Sequence, residues 1–146
     1  MSEHAAGSQT MLYALLNQLI VTVYRLRYAD RGSRLKDDAH DFARLLHYVE
    51  QNIDKPVTLK ELSYASGWSS RHLQRLFQAH TEQSFGTFLR HLRIQKSCEL
   101  LRTSTLKIGL ISELVGYRDA DSFHAAFKKN VGLTPSEYRK TSLSQQ

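Results

Sequence analysis

Two stretches of this chain repeat one pattern, and the repeat restricts the fold more than any other feature. Setting TLKELSYASGW, residues 58 to 68, against KIGLISELVGY, residues 107 to 117, pairs Leu59 with Ile108, Leu62 with Ile111, Ala65 with Leu114, Gly67 with Gly116 and Trp68 with Tyr117. With one extra residue allowed after the turn, Leu73 pairs with Phe123 and Phe77 with Phe127. Each copy reads as a short helix, a glycine turn and a second helix anchored by apolar residues four apart. Units this short cannot bury their apolar faces alone, so each needs a supporting helix.

The first copy is punctuated clearly. Thr58 and Glu61 form a capping box, Gly67 can take the positive φ of a tight turn, Trp68 and Leu73 are spaced to clasp a helix start, and Ser69 can cap that helix. Leu73, Leu76 and Phe77 then share one face, which leaves Arg71, Gln74, Arg75 and Gln78 together on the other. A solvated face normally mixes signs, but this one, with His72, contains no acid. Its guanidinium and amide groups are the donors that read guanine and adenine edges. In the second copy the equivalent positions are Asp121, His124, Ala125 and Lys128, a face poorer in readers. Asp119 and Asp121 suit a helix start but would repel phosphate. The two halves are expected to be unequal.

Supporting helices are expected over about 39 to 52, with Phe42, Leu45, Leu46 and Val49 inward, and over 84 to 102. The latter carries Phe85, Phe88, Leu89 and Leu92 on one side and Ile94, Cys98 and Leu101 on a neighbouring one, as a helix bridging two small cores would. Arg90, Arg93 and Lys96 fall on its remaining surface, either solvated or lining phosphates. Thr134, Pro135 and Glu137 announce a closing helix to about Lys140. Earlier in the chain, Leu12, Leu16, Leu19, Val23 and Leu26 form a seam for packing or self-association, and 29 to 38, ADRGSRLKDD, reads as a linker.

With only Pro56 and Pro135 to interrupt it, the chain reads as all-α. The expected organisation is two helix-turn-helix subdomains, at about 58–80 and 107–130, joined by a long linking helix and preceded by an extra N-terminal helix. The expected divisions are an N-terminal helix and linker over 1–38, a DNA-binding domain over 39–140 and a tail over 141–146. A formal charge of +6 favours a polyanionic partner without choosing among DNA, RNA and acidic membrane. Asn17, Gln18, Arg25 and Arg27 interrupt the N-terminal apolar run, against a signal peptide or membrane span. The single Cys98 forms no internal disulfide and suits a reducing cytoplasm as a buried thiol.

The seven histidines show no metal-ligand spacing and no glycine-rich phosphate loop is present, so neither an enzyme nor a metal or cofactor site is expected. Double-stranded DNA is the expected partner. The alternative is a helical protein-interaction module without specific DNA readout.

S-x-R-H-L-Q-R-L-F at 69–77, L-R-x-x-R at 89–93 and V-G-Y…F…F-K-K…G-L-T-P-S-E-Y-R over 115–139 resemble the DNA-binding domain of the AraC/XylS family of bacterial transcription regulators. The resemblance spans about Phe42 to Arg139. It implies an activator, with RNA polymerase as a further partner, that presents two recognition helices to successive major grooves. It places Arg71, Gln74 and Arg75 as base readers, with Ala120, Asp121, Ser122 and Ala125 at the matching second surface. Ala125 stands where many members carry a long basic residue, Glu82 where a glycine is usual, and Ser97 where alanine is usual. YALLNQLIVTVYRLRYA resembles, over a short stretch, the helix closing the sensing and dimerising domain of sugar-responsive members, including rhamnose regulators. That likeness implies a form lacking its sensor.

Overall fold

The computed structural model describes residues 33–144, which form seven helices. These are α1 (Ser33–Gln51), α2 (Leu59–Ser66), α3 (Ser70–Thr81), α4 (Phe85–Thr103), α5 (Ile108–Leu114), α6 (Ala120–Val131) and α7 (Pro135–Leu143). The expected seam from Leu12 to Leu26 lies outside the described residues. The chain divides into two compact units, one holding 33–52 and 56–89, the other holding Ile53–Lys55 and the chain from Arg90 onward.

Helix α1 starts at Ser33, six residues before the expected start near 39, so the charged stretch read as a linker is helical over its second half. Arg34, Leu35 and Lys36 in its first turn are good helix formers. Asn52 closes the helix by donating its side-chain amide to the Tyr48 carbonyl at 2.8 Å. The inward positions hold as expected: Phe42, Leu45, Leu46 and Val49 are buried. Phe42 meets the edge of Phe77 at 5.2 Å, and Phe77 packs against Phe85 and Phe88 at 5.0 and 5.4 Å. Phe77 thus centres the core of the first unit, as its place in the repeat requires.

In the second unit, Ile94, Cys98, Leu101, Ile111, Val115, Phe123, Phe127 and Val131 form the core. Tyr117 and Tyr138 flank it, 5.4 Å from Phe123 and 5.6 Å from Phe127. Buried surroundings push the Cys98 thiol up to about 12, against smaller opposing effects of a Tyr138 hydrogen bond and the Arg102 charge. Ser97, where alanine is usual in the family resembled, is fully buried, and its hydroxyl donates to the Ile94 carbonyl at 2.7 Å. The extra polar atom is therefore satisfied within its own helix.

Three expectations need correction. Arg93 does not lie along a solvated face: its guanidinium donates to the Ile53 carbonyl at 3.2 Å and the Lys55 carbonyl at 2.9 Å, and sits 5.9 Å over the Tyr117 ring. The bend between α1 and α2 leaves those carbonyls outside any helix, and a guanidinium can satisfy both at once. Ala65 and Leu114, paired apolar positions of the repeat, are both exposed, because an eight-residue or shorter helix buries only its central turn. The closing helix runs on to Leu143, so residues 141–143 are helix rather than tail.

Candidate nucleic-acid interface

The turn ahead of α3 is built from small residues that bond their own backbone. Gly67 adopts φ 76° and donates its amide to the Ser63 carbonyl at 2.9 Å. The Ser63 hydroxyl donates to the Trp68 carbonyl, the Ser66 hydroxyl to the Leu62 carbonyl at 2.6 Å, and the Trp68 amide to Ser66 Oγ at 3.2 Å. Ser69 caps α3 by accepting from the His72 amide at 3.1 Å. These short-range bonds set the direction in which α3 leaves the turn.

Along α3, Leu73 and Phe77 are fully buried and Leu76 nearly so. Each such side chain contributes roughly 1.5–3 kcal/mol when removed from water, which pins the helix by its inner face. Arg71, Gln74, Arg75 and Gln78 are all exposed, as their spacing predicts. His72 is half-buried: its ring meets Trp68 edge to face at 5.1 Å, and Arg75 Nη2 donates to its Nδ1 at 2.9 Å. Sequence spacing places His72 beside Arg71, Gln74 and Arg75 but does not show that it holds one of them.

The second unit repeats this plan with different chemistry. Gly116 adopts φ 89°. Asp119 caps α6, its carboxylate accepting from the Ser122 amide at 2.7 Å and the Ser122 hydroxyl at 2.8 Å, and these bonds hold its carboxyl below the usual range. Phe123 and Phe127 are fully buried. Outward lie Ala120, Asp121, Ser122, Ala125 and Lys128, with His124 half-buried against Phe123. The helix before the turn differs too: α2 begins with the complete Thr58–Glu61 capping box, whereas α5 begins at Lys107 with no side-chain cap. The exposed surface of α6 includes the acid Asp121 and the long basic side chains Lys128 and Lys129, against four long polar side chains and no acid on that of α3.

Basic side chains elsewhere are divided between structural and solvent-facing positions. Arg139 Nη2 donates to the Leu106 carbonyl at 2.6 Å and its Nε to the Leu101 carbonyl at 3.4 Å, closing the end of α4. Lys96 pairs with Glu99 at 2.8 Å, and Arg90 is exposed. The only sequence signal for the bonded roles of Arg93 and Arg139 was their place in the L-R-x-x-R and P-S-E-Y-R motifs. Among the described residues, no group of three or more His, Cys, Asp or Glu side chains is placed to hold a metal ion. No described helix is long and apolar enough to cross a membrane.

A family model described as a helix-turn-helix domain matches residues 62–141. The multiple antibiotic resistance protein MarA of Escherichia coli (strain K12) is 30% identical over 111 residues, 76% of this chain and 87% of that protein. The HTH-type transcriptional activator RhaR of Pectobacterium carotovorum subsp. carotovorum (strain PC1) is 32% identical over 131 residues, 90% of this chain but 46% of that protein. Among solved structures, the C-terminal domain of AraT, a response regulator from Geobacillus stearothermophilus, matches with a TM-score of 0.66 and 31% identity, covering 69% of this chain and 84% of that one. The DNA-binding domain of the global transcriptional factor AdpA, solved with a target DNA, has the same fold, with a TM-score of 0.68 at 19% identity over 71% of this chain and 94% of that one.

Proposed function

Because the chain belongs to the AraC/XylS family of transcription regulators, whose C-terminal DNA-binding domain it carries, we propose that it is a sequence-specific DNA-binding activator. The observation that carries the proposal is the exposed face of α3. Four long polar side chains, Arg71, Gln74, Arg75 and Gln78, stand there without an acid among them, on a helix held from beneath by buried Leu73, Leu76 and Phe77. In this reading α3 enters one major groove and reads bases. Helix α6 enters the next and contributes mainly through Ser122, His124 and Lys128 to phosphate and groove shape.

Successive grooves on one side of a duplex are roughly 34 Å apart, so one copy covers an asymmetric site spanning two half-sites. Engagement of both helices with one duplex would favour DNA that bends at flexible pyrimidine–purine steps between them. The activator role is supported by the likeness to the transcriptional activator RhaR, and RNA polymerase is the partner such a role requires. Self-association through the Leu12–Leu26 seam and a cytoplasmic location complete the proposal, with gene regulation rather than catalysis as the output.

Selection from random duplexes identifies the site, after which Gln74→Ala and Arg75→Ala are measured on selected and random DNA. Each variant should lose about 1–3 kcal/mol on the selected site, with relaxed preference at one base pair. Affinity of the unaltered protein should fall steeply with salt. Equal weakening on both DNAs would show that these side chains touch only phosphate, and a flat salt dependence would favour a protein partner.

A further inference from the structure

We infer that His72 is a positioning residue for DNA readout, holding the Arg75 guanidinium in place before DNA arrives. The inference rests on the proposed reading of α3 and extends it to a side chain that the spacing of the readers does not single out. Four contacts carry it. The turn anchors Trp68 by its backbone, through Ser66 Oγ at its amide and the Ser63 hydroxyl at its carbonyl. The Trp68 ring meets the His72 ring at 5.1 Å with their planes 79° apart. The imidazole, held against that ring on its own helix, then accepts from Arg75 Nη2 at 2.9 Å.

The chemistry of this last bond is one-directional. A guanidinium has donors and no acceptor, so Nδ1 must present its lone pair and the ring proton must sit on Nε2. One of the five guanidinium donors is thereby used on the protein, and the rest of a planar, rigid fork is left in a restricted set of orientations. An exposed arginine without such a tether spreads over many rotamers and must be ordered when it binds a base. With the tether, part of that ordering is complete in the free protein. The second unit has no counterpart: Ala125 occupies the position of Arg75, and a methyl group offers nothing to hold.

The test compares His72→Phe, His72→Gln, Arg75→Ala and the double variant His72→Phe/Arg75→Ala on the selected duplex, on duplexes altered one base pair at a time, and on random DNA. His72→Phe keeps a ring against Trp68 but has no acceptor, and should lose discrimination roughly three- to tenfold at the base pair that Arg75→Ala affects, with little change on random DNA. His72→Gln supplies a carboxamide oxygen that can accept from Arg75 and should recover part of the loss. In the double variant the His72 change should add nothing to the Arg75 change. If His72→Phe loses helical content, His72→Leu replaces it as the variant without an acceptor.

Additive losses in the double variant, equal weakening on every DNA, or full discrimination in the variant without an acceptor would each overturn the inference while leaving Arg75 as a reader. Unchanged discrimination in Arg75→Ala would instead remove the proposed reading of α3, and the inference with it.

Discussion

Replacing Gly116 with alanine should destabilise the protein far more than the same change at Gly67, although the repeat aligns the two glycines. Both have positive φ, 76° at Gly67 and 89° at Gly116. A side chain there costs about 1–2 kcal/mol in backbone strain, offset by about 0.4–1 kcal/mol from stiffening the unfolded chain, so conformation alone predicts about 1 kcal/mol for either substitution. Space separates them. A Cβ at Gly67 would meet nothing within 4 Å, whereas one at Gly116 would run into the Ile53 carbonyl oxygen and lie 2.7 Å from Arg93 Nη2 and 2.9 Å from its Cζ.

The guanidinium cannot simply swing aside, because it is bonded to the Ile53 and Lys55 carbonyls. Losing one such charge-assisted bond adds about 1.5–3 kcal/mol, which brings Gly116→Ala to about 2.5–4 kcal/mol. At roughly 2–4 °C per kcal/mol for a chain near this size, thermal unfolding followed by circular dichroism should show a drop of about 3 °C for Gly67→Ala and about 10 °C for Gly116→Ala. In an Arg93→Ala background the excess at Gly116 should shrink, since the bond is already gone. Equal drops for the two glycines, or an undiminished excess without Arg93, would refute the reasoning.

Further outcomes follow from single side chains. Glu82 closes α3 at φ 56°, a left-handed conformation that favours glycine, and Glu82→Gly should raise stability by about 0.5–1 kcal/mol in urea unfolding. With its pKa pushed up to about 12, the Cys98 thiol is on the order of one part in ten thousand ionised at a pH of about 8, so a thiol-alkylating reagent should label the native protein only as fast as it opens; rapid labelling without denaturant would contradict the burial. Grafting a long donor with Ala125→Arg should sharpen base preference in the second half-site, measured by selection from random duplexes, and no gain there would count against α6 entering a groove.

Helix starts and inner faces were legible from neighbouring residues alone. Thr58 with Glu61, Ser69, Asp119, and Thr134 with Glu137 all bond within three residues of themselves, so adjacent identities were enough to place those helix starts. The same holds for Leu73, Phe77, Phe123 and Phe127, whose helical spacing alone marks an inner face, and hence for the exposed positions of Arg71, Gln74, Arg75 and Gln78. Only the tertiary structure decided what long-range partners do. Arg93 reaches carbonyls 38 and 40 residues away and Arg139 reaches one 33 residues away, so a basic residue on a helix face carried no sign of either bond.

The same distinction explains why Gly67 and Gly116 are interchangeable in the repeat but not in space: the space around an added Cβ is defined by a backbone segment brought in from elsewhere. His72 lies between the two cases. Its partners Trp68 and Arg75 are close in sequence, but the bond to Arg75 depends on how the imidazole is turned against Trp68. Periodicity separates inside from outside; which outward side chain holds another depends on packing around it.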